Sequence, residues 1–239
     1  WEGCLGQPVD TSVSPPPMVI EPVADKIPKN PVEQKIWRLY FADAILNPPI
    51  KWHSMGTSAG MYFLPPEHTF QEYTYPMPGC SEVRMIYRQG SAQLSTWCNT
   101  NRWIEAYQSS KIEFIVTQDV WMGGEAPFSD IILPACSALE RVDLSPMGRH
   151  GHNYKGGVYC KKCIEPLWDT KSDFEIYKLL ARRLGVEEGF TEGRSEEEWL
   201  KRLFEKSSLR DSISWEEFKK KGYYVFRFPD KWDRRPGLR

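Results

Sequence analysis

Long apolar runs and an excess of one charge are both missing from this sequence. No apolar run reaches the roughly 18 residues that a membrane-spanning helix needs, and no basic-then-apolar segment opens the chain as a secretory signal would. Lysine and arginine number 31 against 32 acidic residues, which argues against a surface built mainly for nucleic acid. The sequence therefore predicts no nucleic-acid partner and no membrane insertion by this chain.

Short fingerprints of common cofactors are absent as well. No Gly-x-Gly-x-x-Gly follows a strand pattern and no Gly-x-x-x-x-Gly-Lys-Ser/Thr occurs, so a free-standing NAD or ATP domain lacks its fingerprint. The sequence has no Cys-x-x-Cys-x-x-x-Cys run for an iron-sulfur cluster. The six cysteines show no spacing typical of a disulfide framework, and we expect them to be reduced thiols.

Two histidines and two cysteines have the residue types of a zinc site. His150 and His152 precede Cys160 and Cys163, and these four side chains could in principle be ligands. If Val158 to Ile164 forms a strand, however, residues three apart point to opposite faces and the two thiols diverge. We therefore expect no metal site in this chain.

The 239 residues, 41% hydrophobic, are enough for one substantial core. Residues 1–30 are rich in proline, which cannot donate a backbone hydrogen bond, and they predict an extended arm or linker. From residue 31 to 239 we expect a single α/β domain. It would open with a helix from Asn30 to Pro48, and mixed aromatics, glycines and prolines then predict irregular structure from 51 to 79.

A strand, helix, strand pattern follows. Residues 83–87 and 112–116 predict strands and residues 99–109 predict the helix between them. Asp130-Ile131-Ile132-Leu133-Pro134 predicts a further strand that Pro134 ends. We expect parallel strands, with Thr117-Gln118-Asp119 at the carboxyl end of one of them, where open α/β sheets place ligand groups.

The last third of the chain is predicted to be largely helical. Three serines are each followed by glutamate at the third position, which is the pattern of a capping box at a helix start: Ser172 with Glu175, Ser195 with Glu198, and Ser214 with Glu217. Residues 145–157 are polar and rich in glycine, and strands are predicted at 158–164 and 223–228.

The segment from Ile112 to Asp143 resembles a known family. Its apolar strand with Gln118-Asp119, then Ser129-Asp130 before Ile-Ile-Leu-Pro, then Glu140-Arg141, is similar to the recurring phrase in domain III of molybdopterin oxidoreductases, the dimethyl sulfoxide reductase family. The resemblance extends over residues 81–186. It implies a three-layer, Rossmann-like α/β domain with a mostly parallel sheet and a helical carboxyl-terminal part.

In that family, the domain binds the nucleotide half of bis-molybdopterin guanine dinucleotide. The resemblance implies that Asp119, with Gln118 beside it, contacts guanine, because a carboxylate suits the parallel N–H donors of guanine. Gly90 and Ser91 match a cofactor-binding turn. Arg141 matches a basic residue for a pyrophosphate or pterin oxygen, although a surface ion pair is as good a reading of it from the sequence. Asp173 matches a cofactor-contacting Asp, but an Asp in a first helical turn also favours the helix dipole.

Two departures from the family pattern suggest an alternative. The turn after Gly90-Ser91 has Ala92 where relatives carry Asn, and Gly123-Gly124-Glu125 replaces threonines. The resemblance therefore implies no contacts from that amide or from those hydroxyls. The alternative is an interaction module that keeps the fold without the cofactor.

The resemblance also implies what lies outside this chain. The chain would be a fragment of a catalytic subunit, and the molybdenum ligand and an iron-sulfur cluster would lie upstream of it. The isolated fragment would therefore be inactive. Its partners would be the remaining domains of that subunit and an iron-sulfur electron-transfer subunit. The Trp121 turn resembles the transhydroxylase and acetylene hydratase branch, whose members do no net oxidation. The compartment stays open between the cytoplasm and folded export.

Overall fold

The structure, a computed structural model, describes Val23 and residues 32–55, 70–90, 93–147 and 156–227. The chain groups into two compact units, one of Pro28–Pro134 and one of Ala135–Arg239 together with Trp1–Ile27. We call them the amino-terminal and the carboxyl-terminal unit. The sequence predicted one domain from residue 31 onward, and whether the two units act as one domain in the complete protein stays a prediction.

The predicted arm lies outside the described residues, with one exception. The carbonyl of Val23 accepts a hydrogen bond from Nε of Arg202 at 2.6 Å. In the part of the chain that the structure describes, no helix is long and apolar enough to cross a membrane.

The amino-terminal unit opens with a short helix and an antiparallel hairpin. These elements are helix α1 (Phe41–Leu46), strand β1 (Ile50–Met55) and strand β2 (Phe70–Tyr75). The hairpin corrects the expectation of irregular structure from 51 to 79. Trp52 and Tyr75 are buried with Ala44 in one cluster, and this burial stabilises strands that show no alternation of apolar and polar residues.

Helix α1 is much shorter than the sequence suggested. Residues 32–37 form no regular structure, and a 3₁₀ turn at Arg38–Tyr40 leads into the helix. Val32 and Trp37, which the helical pattern would have flanked, are exposed. The apolar spacing before residue 41 therefore does not mark a buried helix face.

The centre of this unit is a parallel sheet, as the sequence predicted. Its strands are β3 (Met85–Gln89), β4 (Phe114–Asp119) and β5 (Ile131–Pro134), in the order β3-β4-β5. Both pairs of neighbours are parallel. This confirms the prediction that residues 83–133 supply adjacent parallel strands.

Two helices connect β3 to β4. They are α2 (Gln93–Thr96) and α3 (Thr100–Tyr107), and α3 lies where the sequence predicted a helix at 99–109. Trp103 and Tyr107 of α3 are buried in the same cluster as Ile86 and Ile115 of the sheet. One apolar face of α3 therefore covers one face of β3 and β4.

The carboxyl-terminal unit contains an antiparallel sheet. Its strands are β6 (Asp143–Met147), β7 (Gly156–Cys160) and β8 (Tyr223–Val225). The described residues therefore contain the parallel three-stranded sheet that the sequence predicted and, in addition, two antiparallel sheets, the hairpin β1-β2 and the sheet β6-β7-β8. Strand β6 occupies residues that the sequence analysis assigned to a polar, glycine-rich segment, and β7 ends at Cys160 rather than at Ile164.

This unit has four α-helices in the described residues, and three of them begin where the serines predicted. The four helices are α4 (Asp173–Arg183), α5 (Glu187–Thr191), α6 (Glu196–Glu205) and α7 (Trp215–Lys221). Ser172, Ser195 and Ser214 each accept a hydrogen bond from the backbone N–H of the glutamate three residues on. The return bond that completes a capping box is present at Ser195, whose N–H donates to Glu198 Oε2 at 2.8 Å.

The apolar faces of these elements meet in one core. Leu200 and Phe204 of α6, Trp215 and Phe218 of α7, and Tyr159 of β7 lie in a single buried cluster. The protein is therefore a mixed α/β structure with one parallel sheet. The three-layer, Rossmann-like arrangement stays a prediction.

Candidate functional site

Three of the residues singled out in the sequence meet at the carboxyl ends of the parallel strands. Gly90 directly follows β3, and its N–H donates to the carbonyl of Gln118 on β4 at 3.1 Å. Asp119 ends β4 beside Pro134 of β5. Parallel pairing brings these strand ends to one edge of the sheet, which we call the carboxyl edge. Ser91, also singled out, lies outside the described residues.

Gln118 is buried rather than presented at this edge. Its side chain is 0% exposed, and its Oε1 accepts a hydrogen bond from the hydroxyl of Tyr87 on β3 at 2.5 Å. A buried amide needs such partners to offset its lost hydration. The side chain of Gln118 therefore links β4 to β3, and its backbone carbonyl accepts the hydrogen bond from the N–H of Gly90.

Asp119 closes the turn that follows β4. Its Oδ1 accepts from the N–H groups of Val120 at 2.6 Å and of Trp121 at 3.3 Å. An Asp that bonds to the backbone two residues on is a common way to order a turn. These contacts orient the carboxylate at the carboxyl edge. The residues that follow Asp119 in this turn are apolar and exposed: Trp121 is 79% and Met122 is 71% exposed.

Gly90 leaves open space next to the same edge. Its φ of +62° lies in the left-handed region that glycine adopts without strain, and among the described residues a Cβ built there would meet nothing within 4 Å. A side chain at this position would be strained by the backbone conformation and not by a clash. A ligand can therefore approach the backbone closely at Gly90.

Sequence reasoning missed a buried polar cluster beside this edge. Glu125 is 0% exposed, and its Oε1 accepts from the N–H of Leu94 at 3.0 Å and lies 3.9 Å from an Nη atom of Arg88. Burial first, then the charge of Glu125, raise the pKa of Tyr107 to about 12, and the charge of Arg88 opposes the rise. The one sequence signal was a charged residue, Arg88, within an otherwise strand-like run.

The acid and hydroxyls around the recognised phrase have structural roles. Asp130 accepts a hydrogen bond from the backbone N–H of Ile115 at 2.8 Å through its Oδ2. The hydroxyls of Thr117 and Ser129 lie 2.6 Å apart. These contacts hold the segment before β5 against β4, so the recurring Asp of this phrase orders the sheet.

Arg141 and Asp173 belong to the carboxyl-terminal unit. Nη1 of Arg141 donates to Oδ2 of Asp143 at 2.7 Å, which is the ion pair that the sequence left open as an alternative. Nε of Arg141 is buried and has no hydrogen-bond partner among the described residues. Asp173 is half-buried in the first turn of α4, a position that favours the helix dipole.

Glu140, next to Arg141, is a buried carboxylate with several donors. It accepts from the N–H groups of Leu167 at 2.6 Å and Ser137 at 2.8 Å and from the hydroxyl of Thr170 at 3.1 Å. These bonds, with the Leu167 amide first, lower the pKa of Glu140 to about 2. Glu140 therefore joins two loops of this unit as a carboxylate.

Contrary to the sequence prediction, Cys160 and Cys163 do not lie on one strand. Because β7 ends at Cys160, Cys163 lies beyond the strand and alternation of strand faces does not separate the two thiols. His150 and His152 lie outside the described residues. Within the described ranges, no three His, Cys, Asp or Glu side chains are grouped so that they could hold a metal ion, and the described cysteines are free thiols.

Comparison with known proteins identifies the family. The family model described as molybdopterin oxidoreductase matches residues 57–183, more than half of the chain. This protein belongs to the molybdopterin oxidoreductases, as a fragment of a catalytic subunit of the dimethyl sulfoxide reductase family.

Named relatives support this membership. The chain is 37% identical over 201 residues to the pyrogallol hydroxytransferase large subunit of Pelobacter acidigallici, and this match covers 80% of this chain and 22% of that protein. It is 32% identical over 178 residues to a trimethylamine-N-oxide reductase of Pasteurella multocida (72% and 20%). It is 34% identical over 151 residues to the dimethyl sulfoxide reductase DmsA of Escherichia coli (62% and 18%).

The chain therefore spans about a fifth of the length of these relatives. Among solved structures, acetylene hydratase from Pelobacter acetylenicus matches with a TM-score of 0.46 and 23% identity, over 62% of this chain and 19% of that one.

Proposed function

We propose that this chain binds the guanine nucleotide portion of bis-molybdopterin guanine dinucleotide within a molybdopterin-dependent oxidoreductase. The observation that carries the proposal is the meeting of Gly90 and Asp119 at the carboxyl ends of neighbouring parallel strands. Open α/β sheets bind ligands outside the carboxyl ends of their strands.

The residues at the carboxyl edge fit this ligand chemically. Asp119 provides a carboxylate whose orientation is set by its bonds to the turn. Guanine presents N1–H and N2–H donors on one edge, which a carboxylate accepts as charge-assisted hydrogen bonds. The open space at Gly90 would admit part of the nucleotide close to the backbone.

Arg141, Asp173, Gln118 and Ser91 remain proposed contacts of the same cofactor. The resemblance supports them, and Arg141 has the right chemistry for a pyrophosphate or pterin oxygen. For Gln118 we propose a supporting role through its backbone, since its side chain is buried.

The chemistry of the complete protein would be supplied by molybdenum on the bound cofactor. The residues of this chain would bind and orient that cofactor and neutralise its charge, so the fragment alone would be inactive. The relatives include both a hydroxytransferase and oxide reductases by name. The 37% identity to the hydroxytransferase is the reason to test a reaction without net oxidation first.

We further propose that the complete protein has the usual companions of this family. These are the remaining domains of the same subunit, an iron-sulfur cluster bound upstream of this chain, and an iron-sulfur electron-transfer subunit. The share of about a fifth of each relative supports the first of these.

Replacing Asp119→Asn in the full-length protein tests the guanine contact. The amide keeps the shape but presents a donor to a donor, a loss on the order of 1–3 kcal/mol when a buried group is left unpaired. We expect less molybdenum and less GMP released per mole of protein under cofactor-limited expression. Asp211→Asn, an exposed Asp in a surface pair with Arg210, is the matched control. Full occupancy of both variants across the expression series would show that Asp119 is only a turn residue.

The second candidate is an interaction module without cofactor. The observation that favours it is the loss of family side chains at Ala92, Gly123 and Gly124. It requires a full-length protein that contains neither molybdenum nor guanine nucleotide when it is expressed with an active cofactor pathway.

A further inference from the structure

The buried carboxylate of Glu125 lies where three segments meet. It follows Gly123-Gly124 and lies beneath the start of α2, where its Oε1 accepts from the N–H of Leu94 at 3.0 Å. The same oxygen faces an Nη atom of Arg88, near the carboxyl end of β3, at 3.9 Å. Glu125 thus links Arg88 of β3, which precedes Gly90, to Leu94 at the start of α2.

The backbone around Glu125 is packed to allow this contact. A Cβ built on Gly124 would lie 3.3 Å from Cβ of Leu94, so the two segments approach more closely than most side chains permit. The carboxylate is completely buried, and the side chain of Arg88 is only 18% exposed. A glutamate in such a place needs an adjacent cation and hydrogen-bond donors; here Arg88 is the cation and the N–H of Leu94 is the donor to Oε1.

This arrangement is not one that maximises stability. Oε2 of Glu125, two guanidinium nitrogens of Arg88, Oε1 of Gln93 and the hydroxyl of Tyr107 are buried without a hydrogen-bond partner among the described residues. Such groups destabilise a fold unless water or a ligand satisfies them. A buried ion pair is weak evidence for stability, whereas fixing one conformation is a recognised role for it.

We propose that Glu125 is a positioning residue for the nucleotide site, which it serves by holding the start of α2 against the end of β3 and so fixing the backbone that flanks Gly90. This inference rests on the proposed function, because it assumes that Gly90 lies at the cofactor. Arg88 is the adjacent countercharge of Glu125. Neither residue touches the cofactor.

Amide hydrogen exchange of the cofactor-free full-length protein tests the positioning role directly. Glu125→Ala removes the acceptor of the Leu94 amide, and we expect exchange in the peptide 93–97 to become about tenfold faster, as loss of a buried hydrogen bond to a charged group implies. Glu125→Gln keeps an oxygen at the same place and should keep most of the protection.

The matched control is an ion pair at the other end of the same strands. Arg84 and Glu113 precede β3 and β4 and form an exposed pair, with a 2.6 Å bond from Nε of Arg84 to Oε1 of Glu113. Glu113→Ala should leave exchange in 93–97 unchanged. Faster exchange in 93–97 for both alanine variants, or across the whole amino-terminal unit for Glu125→Ala, would show that Glu125 only stabilises the core and would overturn the proposal.

Cofactor loading of the same variants separates this inference from the proposed function. We expect GMP and molybdenum per mole to fall in Glu125→Ala and to recover in Glu125→Gln. Normal loading of Glu125→Ala beside reduced loading of Asp119→Asn would overturn the positioning role and leave the proposed function standing. Normal loading of both variants would overturn both. A glutamine variant that exchanges as fast as the alanine variant would overturn the role of the acceptor oxygen.

Discussion

Individual carboxylates do different work in this protein, although they look alike in the sequence. Asp119 orders a turn, Asp130 accepts from the backbone of β4, and Glu125 and Glu140 are buried. What separates them is the set of donors that the fold brings to each one. Their responses to pH and to substitution should therefore differ.

The pKa of Glu140 gives a pH-dependent prediction. Because the pKa is lowered from 4.5 to about 2, this carboxylate contributes stability that is fully present above its ordinary pKa and is lost as the pH falls towards 2. Glu140→Gln should unfold at lower denaturant concentration than the wild type at pH 7, and this difference should shrink between about pH 4.5 and 2.

Denaturant titrations of both proteins across that pH range measure the difference. Glu165→Gln removes an exposed carboxylate of the same unit, which pairs with Lys162 on the surface, and it serves as control. An undiminished gap between Glu140→Gln and wild type at the acid end would mean that Glu140 does not stabilise the fold through its charge.

At the scale of elements, local signals and long-range pairing contributed differently. The helix starts at Ser172, Ser195 and Ser214 depend on a side chain and an amide three residues apart, so the sequence alone predicts them. In the antiparallel sheet of the carboxyl-terminal unit, β7 pairs with β8, more than 60 residues further along the chain, where Gly156 lies opposite Val225. No local sequence pattern predicts such a pairing.

Gly156 is the position at which that sheet is most easily disrupted. A Cβ there would lie 1.9 Å from the carbonyl oxygen of Tyr224 and 3.0 Å from Cα of Val225. Gly156→Ala should therefore separate β8 from β7 and destabilise the protein by on the order of 1–3 kcal/mol, as overpacking does.

Gly189→Ala is the control for Gly156→Ala. Gly189 lies in α5, where a Cβ meets nothing within 4 Å, and the change should stabilise the protein by about 0.5–1 kcal/mol. Thermal unfolding of both variants measures the two effects. Equal melting temperatures for Gly156→Ala and wild type would contradict the close approach of β7 and β8.

At the scale of the whole molecule, the chain spans about a fifth of the length of its relatives, and its proposed role has meaning only in the complete protein. Exposed apolar side chains include Trp121, within the segment 112–143, and Trp168, beyond that segment in sequence. The family membership of the fragment is established by sequence, while the cofactor content of the whole is a matter for measurement.

The full-length protein should contain molybdenum and guanine nucleotide in a ratio of about one to two, as a bis-dinucleotide cofactor with one metal requires. Metal analysis and nucleotide release from protein purified after expression with an active cofactor pathway provide the measurement. Apoprotein purified from a strain without that pathway is the control. Protein that lacks both components under cofactor-replete expression would favour the interaction module.

The sequence by itself determined the family, the order of β3, α3, β4 and β5, and the starts of three helices. These features rest on apolar runs, on a phrase such as Ser129 to Pro134, and on contacts between residues close in the chain. Each is a local preference, and local preferences are readable without knowing what packs against them.

Only the tertiary structure decided the two antiparallel sheets, the burial of Gln118 and the pairing of Glu125 with Arg88. Residue types alone made Gln118 a candidate ligand and left Glu125 as a departure from a family pattern. The structure buries both side chains, because burial depends on which distant segments cover a residue. A buried polar group must then find its partners wherever the chain brings them, and sequence spacing does not encode that meeting.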